Sequence, residues 1–339
     1  MDWRPKKVFN DFPRARAKSF GRGVVKKSCL IRKDARTARI DDLPFERCNG
    51  DVRDLDSLQS GMTGCSAAIN LAYSTRWALL NSPRQEDTAV SGTRNILEAA
   101  TRAGVGRVVQ VSSIAAIGAT RRPRIQDETK VFDLKGYERF RYAHYKHRAE
   151  QLCQQAVARG LDVVIVNPAE VYGPDDTDLV TAGNILDMVS RNPVVVTHGG
   201  TCIAHVDDVA AGIRLALERG RNGERYILGG ENLSLRQMAA LCLEILGLRR
   251  RILTVPSAVL EATVTIARIL RQRPPFEPDL VPYASKYWFM DGEKARLELG
   301  AHFRDARPTL TSCINWLRAT GRISLATTQE GSTDTARKA

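Results

Sequence analysis

The chain has 339 residues, of which 43% are apolar and 26% are charged, and its formal net charge is +13. These values are typical of a soluble globular protein with one large domain, or with a domain and a substrate lobe. No run of about 18 apolar residues occurs, which excludes a predicted transmembrane helix, and no signal-peptide pattern is recognised.

The positive charge is concentrated near the N-terminus. Residues 1–40 contain thirteen Lys or Arg and three Asp, which accounts for +10 of the total. The rest of the chain is nearly balanced, so nucleic acid is not an expected partner of the fold. A basic arm could contact an anionic surface, but a solvated leader is the simpler interpretation. The seven scattered cysteines show no metal-ligand spacing, which predicts reduced thiols, no metal and a cytoplasmic protein.

From Cys29 onward, short apolar runs alternate with patterns of helical period. Runs bounded by turn residues predict buried parallel strands, and they cover residues 29–32, 45–48, 67–72, 108–111, 162–168 and 225–230. Helical patterns separate them, for example after Asp54 and from Val90 to Ala100. The alternation predicts a doubly wound α/β fold with a parallel sheet.

Three residues form a candidate catalytic group: one at the end of a predicted strand and two on a predicted helix. Ser113 ends the strand at 108–111, where a parallel sheet opens into a ligand-binding crevice. Tyr142 and Lys146 are four residues apart and therefore share a helix face. A nearby ammonium lowers the pKa of a phenol from its usual value of about 10. The trio is therefore suited to moving a proton while a cofactor moves a hydride, although Y-x-x-x-K alone is also common on solvated helices.

Together, several segments resemble the extended short-chain dehydrogenase/reductase superfamily, also called the NAD-dependent epimerase/dehydratase family. The resemblance covers about residues 29–318 and is closest to dihydroflavonol-reductase-like and hopanoid-associated epimerase-like members. The segments that carry it are 111–118, Tyr142 with Lys146, 167–174 and 203–210. The resemblance implies a Rossmann-type sheet, an NAD or NADP cofactor, and Ser113, Tyr142 and Lys146 as catalytic residues, with Ser112 as the alternative to Ser113.

The same resemblance assigns cofactor contacts. It places Asp51 and Val52 at the adenine, Leu71 and Ala72 along the cofactor, and the strand that ends at Pro168 against the nicotinamide. Ser112, Tyr142 and Lys146 are expected to contact the cofactor as well. Arg32 and Lys33 stand where NAD-binding members usually have an acid, which favours the 2′-phosphate of NADP, unless this is a solvated basic loop.

The first β-α unit is expected to be atypical or missing. No G-x-x-G-x-x-G motif occurs, and only Gly21 and Gly23 suggest part of a phosphate-binding turn. The segment Lys7-Val8-Phe9 is a short and doubtful first strand. Gly23 is too close to the strand at Cys29 for a crossover helix between them. Either the segment before Cys29 is misassigned, or the phosphate cradle has been lost.

Four regions are expected: an atypical leader at 1–28, a dinucleotide-binding core at 29–174, remaining sheet elements with a small helical substrate lobe at 175–320, and a disordered tail at 321–339. In the third region, His205 is interpreted as structural, with Asp207 or Asp208 capping the next helix. The arginines between Ser113 and Tyr142, at 121, 122 and 124, are interpreted as a surface loop or as contacts to an acidic substrate.

The predicted function is an NAD(P)-dependent oxidoreductase that acts on a small carbonyl or alcohol, with Tyr142 as the acid/base. One alternative is a nucleotide-sugar epimerase that keeps NAD tightly bound. Another is an inactive paralogue or binding protein without the glycine loop. A 4,6-dehydratase is disfavoured, because those members carry acids where this chain has Ile114 and Ala115. A homodimer through the Tyr-Lys helix is implied by the resemblance only.

Overall fold

A seven-stranded parallel sheet organises the fold. The computed structural model describes residues 7–10, 26–33, 35, 37–38, 40–73, 82–133, 140–272 and 281–323. The strands of the sheet are β1 (Lys7–Asn10), β2 (Lys26–Ile31), β3 (Glu46–Asn49), β4 (Ala67–Asn70), β5 (Arg107–Val111), β6 (Val163–Pro168) and β10 (Arg225–Leu228). Their spatial order is β10-β6-β5-β4-β1-β2-β3, and all pairs are parallel. The order reverses at β1, as in a doubly wound dinucleotide-binding sheet.

The first strand corrects part of the sequence-based expectation. β1 is present and lies at the centre of the sheet, where Val8 is paired with Lys27 of β2 on one side and with Ala67 of β4 on the other. With only two apolar residues in four, it gives a weak strand signal. The connection from β1 to β2 is residues 11–25, so Gly21 and Gly23 lie outside the described residues.

Helices lie on both faces of the sheet and in the second half of the chain. They are α1 (Leu55–Met62), α2 (Pro83–Glu86), α3 (Gly92–Arg102), α4 (Arg141–Ala158), α5 (Ala182–Ser190), α6 (Val206–Arg219), α7 (Leu235–Leu246), α8 (Ser257–Ile269), α9 (Val281–Ala284) and α10 (Ala306–Ala319). A π-helical turn, Asp87–Ser91, leads into α3, and another is Ala295–Leu299.

Successive side chains of the central strands divide the core between the two faces. Val109 and Val164 pack with residues of α6, whereas Val108 and Val163 pack with residues of α3 and α4. This follows from the period of two along a strand. The near-continuous burial of β5 and β6 is the reason why they read as apolar runs.

The second half of the chain adds smaller sheets and a helical lobe. β9 (Gly200–His205) pairs with β7 (Glu170–Tyr172), β11 (Glu231–Ser234) and β13 (Tyr287–Trp288), and β8 (Val194–Thr197) pairs with β12 (Ile252–Val255). A separate apolar cluster joins α5, α7 and α10. The predicted domain boundary at residue 174 stays a prediction. β10, which follows that boundary in the chain, pairs with β6 and completes the main sheet.

Within the described ranges, no helix is both long enough and apolar enough to cross a bilayer. The same part of the chain holds no cluster of three or more His, Cys, Asp or Glu side chains arranged for a metal ion. No disulfide joins any of the seven cysteines, all of which lie within the described ranges.

Candidate active site

The carboxyl edge of the parallel sheet brings the sequence-predicted residues together. Arg32 follows β2, Asp51 follows β3, Leu71 and Ala72 follow β4, and Ser113 follows β5. Pro168 is the last residue of β6 and is buried. Because all these strands are parallel, their carboxyl ends open into one crevice.

Tyr142 lies in the first turn of α4, beside Ser113. The Ser113 side chain is close enough to the Tyr142 hydroxyl to lower the pKa of the phenol. Burial acts more strongly in the opposite direction and raises the pKa of Tyr142 to about 12. Tyr142 is therefore a protonated phenol at neutral pH, and the Ser113 side chain lies beside its hydroxyl.

Lys146 does not act on Tyr142 as expected from the sequence. Its side chain is 5% exposed, its Nζ donates to the Val111 carbonyl oxygen at 3.1 Å, and it lies 4.5 Å from the centre of the Tyr73 ring. The expected lowering of the Tyr142 pKa is therefore wrong for this arrangement, because burial dominates and the ammonium is held by other groups. The Tyr73 ring stands edge-on to Tyr142, with centroids 5.0 Å apart.

The two serines face different ways. Ser113 has extended backbone, and its Oγ accepts from Ala115 N at 3.1 Å, which starts a short 3₁₀ turn. Ser112 is 4% exposed, its Oγ has no hydrogen-bond partner among the described residues, and its side chain lowers the pKa of the nearby Glu150 carboxyl. Ser113 is thus the serine on the side of Tyr142, and Ser112 lies on the side of Glu150.

A buried polar network behind the trio was missed at the sequence level. Glu150 is 3% exposed, and its Oε1 accepts from Asn167 Nδ2 at 2.6 Å, while Asn167 Nδ2 also donates to the Ser113 carbonyl oxygen at 2.9 Å. Arg225 Nη1 donates to Glu150 Oε2 at 3.3 Å. The spacing of Tyr142, Lys146 and Glu150, four residues apart each time, was the available signal.

At the other end of the crevice, Asp51 is committed to Arg53. Its Oδ1 accepts from Arg53 N and Nε, both at 2.9 Å, and its Oδ2 accepts from Nη2 at 2.7 Å. These bonds hold the pKa of Asp51 at about 2, and Arg32 adds a smaller attraction. Arg32 and Lys33 are exposed beside it. The Val52 side chain packs into the core, and its carbonyl oxygen accepts from Asn95 Nδ2 at 3.0 Å.

Between these ends, Leu71 and Ala72 are half-buried on the sheet edge. Asn70 fixes their backbone, because its Oδ1 accepts from Ala72 N at 3.1 Å and its Nδ2 donates to Gln110 Oε1 at 2.8 Å. This cross-strand amide pair ties the ends of β4 and β5 together.

The donors of this edge suit a nicotinamide dinucleotide. The buried Lys146 ammonium and the Tyr142 hydroxyl are hydrogen-bond donors for a ribose, and the cationic Arg32 beside Asp51 matches the charge of a nucleotide phosphate. The pyrophosphate end of such a molecule corresponds to the turn after β1, at residues 11–25, which lie outside the described part of the chain.

His205 is structural, as predicted, but the expected cap was assigned to the wrong residue. His205 itself precedes α6, and its Nδ1 accepts from Asp207 N at 3.1 Å. Burial is the main cause that lowers the pKa of His205, and repulsion from Arg304 lowers it further. Both favour the neutral ring that this hydrogen bond needs. Asp208 instead pairs with Arg304 at 2.7 Å.

Comparisons with known proteins identify the family of the chain. The model of the NAD dependent epimerase/dehydratase family matches residues 22–229. A curated protein of Synechocystis, named putative dihydroflavonol 4-reductase, is 33% identical over 87% of this chain and 88% of its own length. Sterol demethylase protein B of Methylococcus capsulatus is 30% identical, over 87% of this chain and 91% of its own.

Solved structures share the fold. The crystal structure of gox2253 superposes with a TM-score of 0.81 at 31% identity, over 94% of this chain and 99% of that one. A nucleoside-diphosphate-sugar epimerase of Pseudomonas aeruginosa superposes with a TM-score of 0.76 at 23% identity, over 94% and 98%, which shows the fold alone. The sheet order, the grouped site residues and these matches agree, and the chain belongs to the NAD dependent epimerase/dehydratase family, as an NAD(P)-dependent oxidoreductase or epimerase of the extended short-chain dehydrogenase/reductase class.

Proposed function

We propose that this chain reduces the carbonyl group of a small molecule, with Tyr142 as the proton donor, Ser113 as the hydrogen-bonding partner of the substrate oxygen and NADP as the preferred cofactor. The observation that carries the proposal is the placement of the Tyr142 phenol beside the Ser113 side chain at the carboxyl edge of the sheet, where Ser113 lowers the pKa of the phenol. Two relatives that align over at least 80% of the chain are named as reductases, which supports the reductive direction.

The nicotinamide supplies the hydride when bound. The protein supplies the proton at the Tyr142 hydroxyl, which is protonated at neutral pH because burial raises its pKa to about 12. Ser113 orients the acceptor oxygen. Lys146, whose Nζ donates to the Val111 carbonyl oxygen at 3.1 Å, places its ammonium at the carboxyl edge of the sheet as a contact for the ribose.

Arg32 and Lys33 support the preference for NADP. Both are exposed at the carboxyl end of β2, and Arg32 is close enough to Asp51 to lower the pKa of that carboxyl. Asp51 is held by Arg53. A 2′-phosphate here meets a positive field rather than a carboxylate that is free to repel it.

The test is replacement of Tyr142 by Phe, with Tyr145→Phe as the matched control. Tyr145 is one turn position away and packs with Ala89 and Val90. NADPH oxidation is followed with dihydroquercetin, a dihydroflavonol, as the ketone. Loss of a general acid lowers turnover by about 10²- to 10⁴-fold, while NADPH affinity falls by no more than about tenfold, as for loss of one hydrogen bond. Full activity in Tyr142→Phe contradicts the assignment.

The homodimer and the cytoplasmic location stay proposals. Sedimentation of the purified chain at several concentrations tests the first, and cell fractionation tests the second.

A further inference from the structure

A cavity of about 210 Å³ lies in the second half of the molecule, between α5, β8, α7 and α9. Most of the side chains that line it are apolar, including Met188, Val194, Val196, Leu235, Met238 and Val281. Such a wall stabilises an apolar ligand by removing its surface from water.

Two carboxyl groups line this cavity, and the less exposed of them is Glu170. Glu170 is at the start of β7, and its Oε1 accepts from Tyr172 Oη at 2.9 Å and from Asn184 Nδ2 at 2.8 Å. Burial raises the pKa of Glu170 above its usual value, so the group is biased toward the neutral acid. The bonds from Tyr172 and Asn184 fix the direction of the carboxyl group.

The charges at the rim do not suit an anionic ligand. Of the described lining residues, Arg191 alone is cationic, and it is exposed, with Asp187 exposed on the same lining. Burial of a diphosphate requires several donors and compensating charges. The cavity instead offers one exposed cation, one exposed carboxylate and one partly buried carboxyl.

Aromatic rings connect this cavity to the proposed proton donor. Tyr283 lines the cavity, and its ring centroid lies 5.4 Å from that of Phe140. The Phe140 centroid lies 5.6 Å from that of Tyr142. Two rings in contact thus separate the cavity from Tyr142, so the cavity is the neighbouring space for the remote part of a substrate whose carbonyl contacts Tyr142.

We propose that the cavity binds the non-reacting part of a neutral, largely apolar substrate, and that Glu170 is a specificity-determining residue that hydrogen-bonds a hydroxyl group of that part. This inference rests on the proposed function for the location of the reacting carbonyl. It excludes nucleoside-diphosphate sugars as the preferred substrates.

Equilibrium dialysis of the full chain against 2-naphthol and naphthalene tests the proposal. The two probes share a carbon skeleton and differ by one hydroxyl group. A buried hydrogen bond gives the wild type about a tenfold preference for 2-naphthol. Glu170→Leu reduces this preference to about twofold or less, while the rim control Asp187→Asn, which also removes one carboxylate, keeps it.

Wild-type protein also serves as a test, because Glu170→Leu removes the acceptor of Tyr172 and Asn184 and could unfold. UDP-glucose is expected not to displace 2-naphthol from the wild type. The proposal is overturned if the wild type has no hydroxyl preference, if UDP-glucose displaces the probe, or if a folded Glu170→Leu variant keeps the preference. None of these measurements needs turnover or a cofactor, so failure of the proposed function gives a different result: hydroxyl-selective binding without NADPH oxidation.

Discussion

Tyr142 shows how its environment changes the chemistry of one residue. The sequence predicted a phenol, a serine and a lysine as site residues. The structure places the Ser113 side chain beside the Tyr142 hydroxyl. The sequence could not show that the Lys146 ammonium contacts the Val111 carbonyl oxygen and the Tyr73 ring, because both partners are far from Lys146 along the chain. Burial then decides the direction of the Tyr142 pKa shift.

The raised pKa of Tyr142 predicts how stability depends on pH. The folded pKa of about 12 is above the unfolded value of about 10, so the folded state binds the proton more tightly. Its contribution is fully present below pH 10 and is lost as pH rises toward 12. Urea unfolding of wild type and Tyr142→Phe across this range should show a steeper loss in the wild type. Equal slopes would contradict the buried, protonated phenol.

Glu170 is a residue that the sequence did not distinguish. It stands in the segment 167–174, which was recognised only as part of a family pattern. The available signal was an acid two residues after the end of a fully buried strand. Its bonds to Tyr172 and Asn184, however, join β7 to α5, and a pairing between separate elements requires the fold.

At the scale of elements, the start of α6 separates a predictable feature from an unpredictable one. A helix after His205 was expected, and α6 begins at Val206. The cap was assigned to an aspartate because Asp is a common N-cap, whereas the neutral imidazole of His205 occupies that position. Asp208 is drawn away by Arg304, a residue far along the chain.

His205→Ala should lower the free energy of unfolding by about 1 kcal/mol, since it removes the cap of α6. His198→Ala, at an exposed position, should change it by less than about 0.5 kcal/mol. Because the folded pKa of His205 is lowered, its contribution is present above the unfolded pKa of about 6.5 and is lost as pH falls through the folded pKa. Thermal unfolding at pH 7.5 and at acidic pH measures both; equal effects of the two variants would refute the cap.

The joint between α4, β6 and β10 gives a second prediction for elements. Arg225 pairs with Glu150, which is 3% exposed. Arg225→Met leaves that carboxyl without its cation and should cost about 3 kcal/mol. Arg102→Met breaks an exposed pair with Glu98, one helical turn away, and should cost no more than about 0.5 kcal/mol. Similar losses in chemical denaturation would show that the buried pair has no special role.

At the scale of the whole molecule, the parallel sheet could be predicted because strands that are buried on both faces have continuous apolar sequences. β5 and β6 are the clearest cases. β1 could not be assigned with the same ease, because it is four residues long and its identity depends on pairing with β2 and β4. The sequence lacks the G-x-x-G-x-x-G motif expected after β1. The residues that would carry this motif, 11–25, lie outside the described part of the structure.

The central claim is that this chain, with its unusual segment after β1, binds a nicotinamide dinucleotide at the carboxyl edge of the sheet. The most direct test is a fluorescence titration of the 339-residue protein with NADPH and with NADH, repeated for Arg32→Ala and for the control Arg47→Ala, whose side chain pairs with Asp41. We expect saturable binding, with NADPH bound more tightly and its affinity reduced about tenfold in Arg32→Ala alone, as for loss of a charge-assisted hydrogen bond. A folded protein that binds neither nucleotide would contradict the claim.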